Sequence, residues 1–174
     1  MPPPSVARTA RLGTVWILLF WLLLGAGLYY VFQLQEQRQQ DRYQSYTNSV
    51  GELVIPRSPD GHFYVKGEIN GEPLRFMVDT GASMVVVSDA FADRAGLQGG
   101  ARAIFQTANG ERPGRVLRDV PVLAGGLSHS RTEVGIGLIM DNDDFGLLGQ
   151  SFLSQFDLLI QDRQMVLRPR GNSR

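Results

Sequence analysis

The sequence has no cysteine, only two histidines and no excess of either charge. Without cysteine the chain can form no disulfide framework, cysteine nucleophile or thiolate metal site. Two histidines are too few for a three-histidine zinc centre. Because 17 basic residues face 17 acidic ones, no basic excess is available to neutralise a phosphate backbone, which argues against nucleic-acid binding. We expect neither a cofactor nor a metal site.

A long uncharged run is the first feature that is present. Between Arg11 and Glu36 there is no charged residue, and the stretch from Leu12 to Phe32 reads LGTVWILLFWLLLGAGLYYVF. As a helix it is long enough to cross the ~30 Å hydrocarbon layer of a membrane. It lacks the polar stripe of a soluble helix, and tryptophan and tyrosine stand near its two ends. The sequence predicts a transmembrane helix over residues 12–32.

The alternative for this run is a cleaved signal peptide, with Val15–Leu24 as its apolar core and Gly25–Gly27 as the cleavage site. The apolar run continues for five residues beyond those small residues, which favours an uncleaved anchor. Arg8 and Arg11 precede the span with no acidic residue among them. This flank favours a cytoplasmic tail over residues 1–11 and a domain outside the cytoplasm.

The residue composition of the chain changes at Val50. Residues 33–49 are rich in glutamine and indicate a polar stalk between the membrane and the domain. From residue 50 to 170, short apolar runs alternate with glycine turns, which predicts an all-β domain followed by a short tail at 171–174. We predict strands over 52–56, 62–69, 74–78, 84–87, 103–107, 114–117, 120–123 and 133–139, and a final hairpin pairing 156–160 with 165–167.

Turn and cap signals separate these strands. Asn70-Gly71 and Asn109-Gly110 are strong signals for two-residue hairpin turns, because both turn positions need a positive φ. Ser88 is expected to cap one short helix, Asp89–Ala95, and a shorter helical piece is expected over 151–155. The acidic run Asp141–Asp144 is expected to be a solvated loop. It does not fit a calcium loop, which needs Asp or Asn at the position of Phe145.

Asp79-Thr80-Gly81-Ala82-Ser83 is the segment with the clearest chemical potential. Its ionisable side chain lies between two apolar strands, where burying a lone carboxylate costs several kcal/mol unless hydrogen bonds compensate. The simplest interpretation is a turn, since Asp, Thr and Gly all favour turns. The apolar runs on both sides favour a functional loop instead.

The run GHFYVKGEINGEPLRFMVDTGASMVVVS, Gly61 to Ser88, resembles the retropepsin-type aspartic proteases, especially their bacterial membrane-anchored branch. Leu147-Leu148-Gly149 resembles the hydrophobic-hydrophobic-Gly element that supports the catalytic loop of that family. Thr107-Ala108-Asn109-Gly110 lies where the family has its substrate-covering flap. The resemblance extends over about 50–168. It implies an all-β, retropepsin-like half-barrel with one short helix, here preceded by a single transmembrane helix.

The resemblance also implies roles for the residues around Asp79. Asp79 would be the catalytic acid of a dyad in which two carboxylates share one proton. Residues 80–83 would support the loop: Thr80 by bracing two loops across a two-fold axis, and Gly81 by letting backbone N–H groups approach the carboxylate. Ala82 lacks the hydroxyl that many two-lobed relatives carry. Because the chain has one Asp-Thr-Gly triplet, the dyad would need a homodimer.

The sequence therefore predicts a membrane-anchored, homodimeric aspartic endopeptidase acting on a protein or peptide substrate. The resemblance implies a bacterial source, so the location would be the inner membrane, with residues 12–32 in contact with lipid and the catalytic domain in the periplasm. The alternative is a proteolytically inactive retropepsin-fold module for binding or dimerisation, in which Asp79 is only a hydrogen-bond acceptor. A secreted form released by signal cleavage is a further possibility.

Overall fold

The structure is a computed structural model that describes residues 16, 18–33, 44–107, 110–137 and 144–170. The chain divides into two units, residues 1–42 and 43–174. The first contains helix α1, residues 18–33, whose side chains are all exposed; Trp16 is helical as well. Within the described residues, no helix combines the length and the apolar character needed to cross a membrane.

The predicted transmembrane helix therefore stays a prediction. Residues 12–15 and 17 of the predicted span lie outside the described residues, as do the tails at 1–11 and 171–174. Residues 34–43 of the predicted stalk lie outside them too. Tyr46 and Thr47 of the predicted stalk belong instead to the second unit, where they form a short strand that pairs with Leu53 and Val54.

The second unit is built almost entirely of strands, with two short helices. Its strands are β1 Tyr46–Thr47, β2 Leu53–Pro56, β3 Tyr64–Ile69, β4 Glu72–Val78, β5 Val85–Val87, β6 Ala101–Thr107, β7 Gly110–Ala124, β8 Leu127–Ile136, β9 Phe145–Leu148, β10 Phe156–Gln161 and β11 Gln164–Pro169. Its helices are α2 Asp89–Arg94 and α3 Gln150–Leu153. The fold is mostly β, as predicted. Helix α2 is the one short helix of the implied fold, and α3 corresponds to the shorter helical piece expected over 151–155.

The larger sheet closes into a barrel. Its seven strands run in the order β3-β4-β9-β5-β8-β7-β6, and β3 also pairs with the end of β7. Six strands therefore form a closed ring, and β6 extends beyond it as one arm of a hairpin with the first half of β7. A smaller sheet has the order β1-β2-β11-β10.

The core lies inside the barrel and under the two helices. Alternate residues of β4, namely Leu74, Phe76 and Val78, are buried, as expected for strands with one face on the core. The largest fully buried side chains include Phe76 of β4, Phe91 of α2 and Phe152 of α3. Each short helix thus contributes an aromatic side chain to the core.

Local signals in the sequence are confirmed at several turns. Asn70 and Gly71 both have positive φ, 53° and 83°, as the two-residue hairpin required. The Ser88 side chain accepts a hydrogen bond from the amide of Phe91 at 3.1 Å and caps α2. The terminal hairpin pairs Phe156–Gln161 with Gln164–Pro169 across Asp162 and Arg163, as predicted.

Three predictions of strand bounds were wrong. Residues 114–117 and 120–123 belong to one long strand, β7, in which Asp119 adopts φ 56° and the register with β8 shifts. Such a bulge inserts extra residues without ending the strand. β8 begins at Leu127 instead of residue 133 and ends at Ile136. The short strands β1 and β9 were not predicted.

Candidate active site

Asp79 directly follows β4, where the barrel ring opens into a loop. Its backbone amide donates to the carbonyl oxygen of Leu148 at 3.1 Å, which continues the β4–β9 pairing by one residue. Its half-buried side chain accepts a hydrogen bond through Oδ1 from the amide of Gly81 at 2.9 Å. The carboxylate is therefore held in a local turn at the end of a buried strand.

The first turn of α3 holds the loop in place. The Gln150 amide donates to the carbonyl oxygen of Ala82 at 2.9 Å, and the Ser151 amide donates to that of Ser83 at 3.1 Å. The Gln150 side chain donates from Nε2 to the carbonyl oxygen of Thr80 at 3.0 Å. Two consecutive residues, Gln150 and Ser151, thus satisfy three carbonyl groups of the loop and make its conformation well determined.

Gly149 makes this close approach sterically feasible. A Cβ at this position would lie 2.2 Å from the carbonyl oxygen of Met84 and 2.7 Å from that of Ala82. Real Cβ atoms do not approach backbone oxygens so closely, so no other residue fits without moving the loop. The preceding Leu148 is fully buried. This packing agrees with the supporting role that the resemblance gave to Leu147-Leu148-Gly149.

Ser151 belongs to the segment that follows the Leu147-Leu148-Gly149 element in the family resemblance, but the sequence assigned it no supporting role. Its Oγ accepts a hydrogen bond from the amide of Val85 at 2.9 Å and donates to the carbonyl oxygen of Glu133 at 2.7 Å. It thereby connects β5, which follows the Asp79 loop, to β8. A lone serine in a short helix carries no sequence signal for such a contact.

A half-open cleft of about 710 Å³ lies over the Asp79 loop. Asp79 is the only acidic residue among the described residues that line it, and Arg112 is the only basic one. The remainder of the lining is largely apolar, which suits peptide side chains. The lining residues are Asp79, Gly81, Ala82, Ser83, Met84, Val86, Ile104, Phe105, Gln106, Thr107, Arg112, Gly137 and Leu147.

In addition to Asp79, five of the residues predicted from the sequence line the cleft: Gly81, Ala82, Ser83, Thr107 and Leu147. Four others described by the structure do not line it: Thr80, Leu148, Gly149 and Gly110. Thr80 is exposed, whereas Leu148 and Gly149 are buried beneath the loop. Ala108 and Asn109, the predicted tip of the flap, lie outside the described residues.

The hairpin of β6 and β7 covers the other side of the cleft, where the flap was expected. Its last described pair is Thr107 with Gly110, and the Thr107 hydroxyl donates to the Gly110 carbonyl oxygen at 2.8 Å. Thr107 lines the cleft and faces the Asp79 loop from the hairpin. The predicted hairpin is confirmed, but Gly110, which was predicted as a turn residue, is the first residue of β7 and pairs with Thr107. The function of the hairpin as a flap stays a prediction.

The Phe105 side chain packs the hairpin against the barrel. A Cβ on Gly114 would lie 2.4 Å from the Phe105 ring, and one on Gly135 would lie 3.0 Å from it. Because these two glycines have no side chain, there is space for the Phe105 ring above them. Neither Phe105 nor these glycines could be identified from the sequence, because the contacts join three different strands.

The family described as "gag-polyprotein putative aspartyl protease" matches residues 65–155, a segment that includes Asp79, the β6–β7 hairpin and Gly149. The chain belongs to this family of retropepsin-like aspartic proteases. The retropepsin-like chain is also similar to a solved structure, a retropepsin-like aspartic protease from Rickettsia conorii. The two are 32% identical with a TM-score of 0.56, and the match covers 67% of this chain and 89% of the other.

A second relative is an uncharacterized protein of Rickettsia prowazekii (strain Madrid E). It is 32% identical over 126 residues, which make up 70% of this retropepsin-like chain and 53% of the relative. The match thus spans about half the length of that relative. Both comparisons support the resemblance on which the sequence analysis relied.

Proposed function

We propose that this retropepsin-like chain is an aspartic endopeptidase whose active form is a homodimer with one Asp79 from each chain. The observation that carries the proposal is the single acid of the cleft: among the described lining residues, Asp79 has no second carboxylate beside it. Aspartic proteases need two carboxyl groups in different protonation states. A second copy related by two-fold symmetry would supply the other one.

In this mechanism the two Asp79 carboxylates share one proton, because two close negative charges cannot both form cheaply. The ionised partner accepts a proton from a bound water, and the oxygen of that water attacks the peptide carbonyl carbon. The protonated partner polarises the carbonyl oxygen and later supplies a proton to the departing amine. The two titrations belong to the pair as a whole.

The exposed surface of the loop supports a dimer. Thr80 is exposed, and its hydroxyl makes no hydrogen bond within the described part of the chain; its carbonyl alone is bonded, to Gln150. Across a two-fold axis, the same hydroxyl of a second copy would be available to it. This position agrees with the bracing role that the resemblance implied for Thr80.

A second acid from the Asp141–Asp144 loop of the same chain is less well supported. Asp144 forms an ion pair with Arg94 of α2 and does not line the cleft. Asp141 and Asp143 lie outside the described residues. Asp144, the described acid of this loop, is thus directed to α2 and away from Asp79.

An inactive binding or dimerisation module is the second candidate function. The hydrogen bond from the Gly81 amide to Asp79 Oδ1 is what a purely structural aspartate turn would also make. In that case Asp79 would need only to accept a hydrogen bond, and no peptide would be hydrolysed.

We further propose that residues 12–32 anchor the protein in the bacterial inner membrane with the domain in the periplasm. The support comes from the uncharged run between Arg11 and Glu36 and from the basic flank before it. Confinement to a membrane would also raise the effective concentration of the second copy and so favour the dimer.

Cleavage of a peptide library by the full chain tests the proposal. We expect hydrolysis by the wild type, no hydrolysis by Asp79→Asn, and unchanged hydrolysis by Asp93→Asn, which alters an exposed acid on α2. Asparagine keeps the size of the side chain but removes its negative charge. Proteolysis that survives Asp79→Asn would place the chemistry elsewhere, and a wild type that binds peptides without cleaving them would favour the inactive module.

A further inference from the structure

Arg112 is the one basic residue among the described residues that line the cleft. It lies on β7, near the end of the hairpin that covers the cleft, and its side chain is exposed. Because the side chain is exposed, its guanidinium keeps its hydration, and it is the one cation on an otherwise largely apolar lining of the described residues. This position makes it accessible to a ligand that enters the cleft.

The strand register directs Arg112 toward the domain. Arg112 lies directly opposite Phe105, and residues opposite each other in an antiparallel pair share one face of the sheet. Phe105 packs its ring over Gly114 of the other hairpin arm and over Gly135 of β8 in the barrel. The face that carries Phe105 and Arg112 is consequently the inner face of the hairpin.

The neighbouring polar groups of the hairpin are bonded to each other and not to Arg112. Gln106 Nε2 donates to Glu111 Oε1 at 2.8 Å, and the Thr107 hydroxyl donates to the carbonyl oxygen of Gly110. No ion pair or hydrogen bond joins the Arg112 guanidinium to another residue of the described chain. Its donors are available to a molecule that enters the cleft.

We propose that Arg112 is a specificity-determining residue that binds a carboxylate of the peptide substrate. This inference rests on the proposed peptidase function. A guanidinium offers a planar pair of N–H donors that matches both oxygens of a carboxylate. The carboxylate can come from an Asp or Glu side chain of the peptide or from its free C-terminus.

The apolar lining completes the substrate class. Phe105 of the hairpin lines the cleft together with Val86 and Leu147 of the barrel. These side chains suit an apolar residue of the substrate beside the acidic one. In the proposed dimer two hairpins would cover one cleft, so one Arg112 would stand on each side of the scissile bond.

Matched peptides test this preference. A cleavable apolar peptide carries either Glu or Gln at one position and has an amidated C-terminus, and a third version carries Gln with a free C-terminus. For the full-length wild type we expect kcat/KM to be about fivefold higher for a carboxylate-bearing peptide than for its neutral match, as for a partly exposed ion pair. A higher kcat/KM for the Glu peptide would identify a side-chain carboxylate, and a higher kcat/KM for the peptide with a free C-terminus would identify the terminal carboxylate.

Two variants connect the preference to Arg112. In Arg112→Gln, kcat/KM should be equal for acidic and neutral peptides. In Arg112→Glu, kcat/KM should be higher for a Lys-bearing peptide than for an acidic one. Arg102→Gln, a change on the adjacent strand outside the cleft, should leave the ratio intact. Higher salt should reduce the wild-type ratio, since it screens partly exposed charges.

Equilibrium binding of the same peptides to Asp79→Asn gives a readout that does not depend on catalysis. A preference for acidic peptides that disappears with Arg112→Gln in this background supports the inference, even if no peptide is cleaved and the proposed peptidase function fails. Equal binding and equal cleavage of acidic and neutral peptides would overturn it, as would a preference that survives Arg112→Gln.

Discussion

Ser151 and Val85, 66 residues apart in the sequence, are joined by a hydrogen bond of 2.9 Å from the Val85 amide to Ser151 Oγ. The same hydroxyl donates to the carbonyl oxygen of Glu133. Ser151 therefore connects three segments: α3, the strand β5 that follows the Asp79 loop, and β8. The support of the candidate catalytic loop depends on this side chain as well as on Gly149.

We expect Ser151→Ala to destabilise the domain, because it leaves the Val85 amide and the Glu133 carbonyl without their partner. The cost of such unsatisfied groups is about 1–3 kcal/mol of unfolding free energy. Urea unfolding of the variant measures this loss. Ser154→Ala, an exposed serine at the end of the same helix, is the matched control; an equal loss in both variants would refute the role of Ser151.

The parts of the site that could be predicted are those encoded in neighbouring residues. Asp79-Thr80-Gly81 is a local turn between apolar strands, and Asn70-Gly71 is a turn that its two residues determine by their backbone preferences. Leu147-Leu148-Gly149 could be found only through family resemblance, because the close approach of Gly149 to Met84 is invisible in a local window.

The parts that could not be predicted depend on strand pairing. Phe105 can be identified as the neighbour of Arg112 across the hairpin only once the register is known. The strand β9 is four residues long and lies between β4 and β5, so it has too few residues for a periodic pattern. The long β7 was divided in two because the bulge at Asp119 interrupts the pattern there.

A pH-dependent contribution to stability is expected from Asp60 and Tyr64. The Tyr64 hydroxyl donates to Asp60 Oδ2 at 2.6 Å and is the main cause that holds the pKa of Asp60 below 3.8. Burial, and then this hydrogen bond, raise the pKa of Tyr64 above 10.0. The contribution of Asp60 is therefore present above pH 3.8 and is lost as the pH falls through its lowered pKa.

We expect Tyr64→Phe to move the pKa of Asp60 back toward 3.8, as measured by NMR titration of the carboxyl carbon. The stability difference between wild type and variant should be greatest above pH 3.8 and should shrink as the pH falls through the lowered pKa of Asp60. Tyr46→Phe, which alters an exposed tyrosine on β1, should change neither quantity. An Asp60 pKa that does not move in Tyr64→Phe would show that the hydrogen bond has no such effect.

The membrane anchor gives a separate prediction. The wild-type chain should stay in the membrane fraction of a bacterial host after alkaline washing, and a reporter fused after Arg174 should be active only in the exported compartment. Leu22→Arg with Leu23→Arg should weaken insertion, because each charge at the centre of a span costs about 2.5–3.5 kcal/mol. The matched control is Leu22→Ile with Leu23→Ile.

Soluble mature protein that begins near Leu28 would contradict the anchor and favour a cleaved signal peptide. Reporter activity in the cytoplasm would contradict the orientation. Membrane retention that is equal in the arginine and isoleucine variants would show that residues 12–32 are not what holds the protein.

The shared dyad is tested by the activity of mixtures of wild-type and Asp79→Asn chains that are allowed to exchange partners before assay. With random pairing at equal amounts, about one quarter of the dimers keep two intact Asp79 residues. The activity of the wild-type chains should then fall to about half, and to about one tenth when the variant is in ninefold excess. Activity that stays proportional to the wild-type chains in every mixture would mean a site complete within one chain, and would contradict the shared dyad.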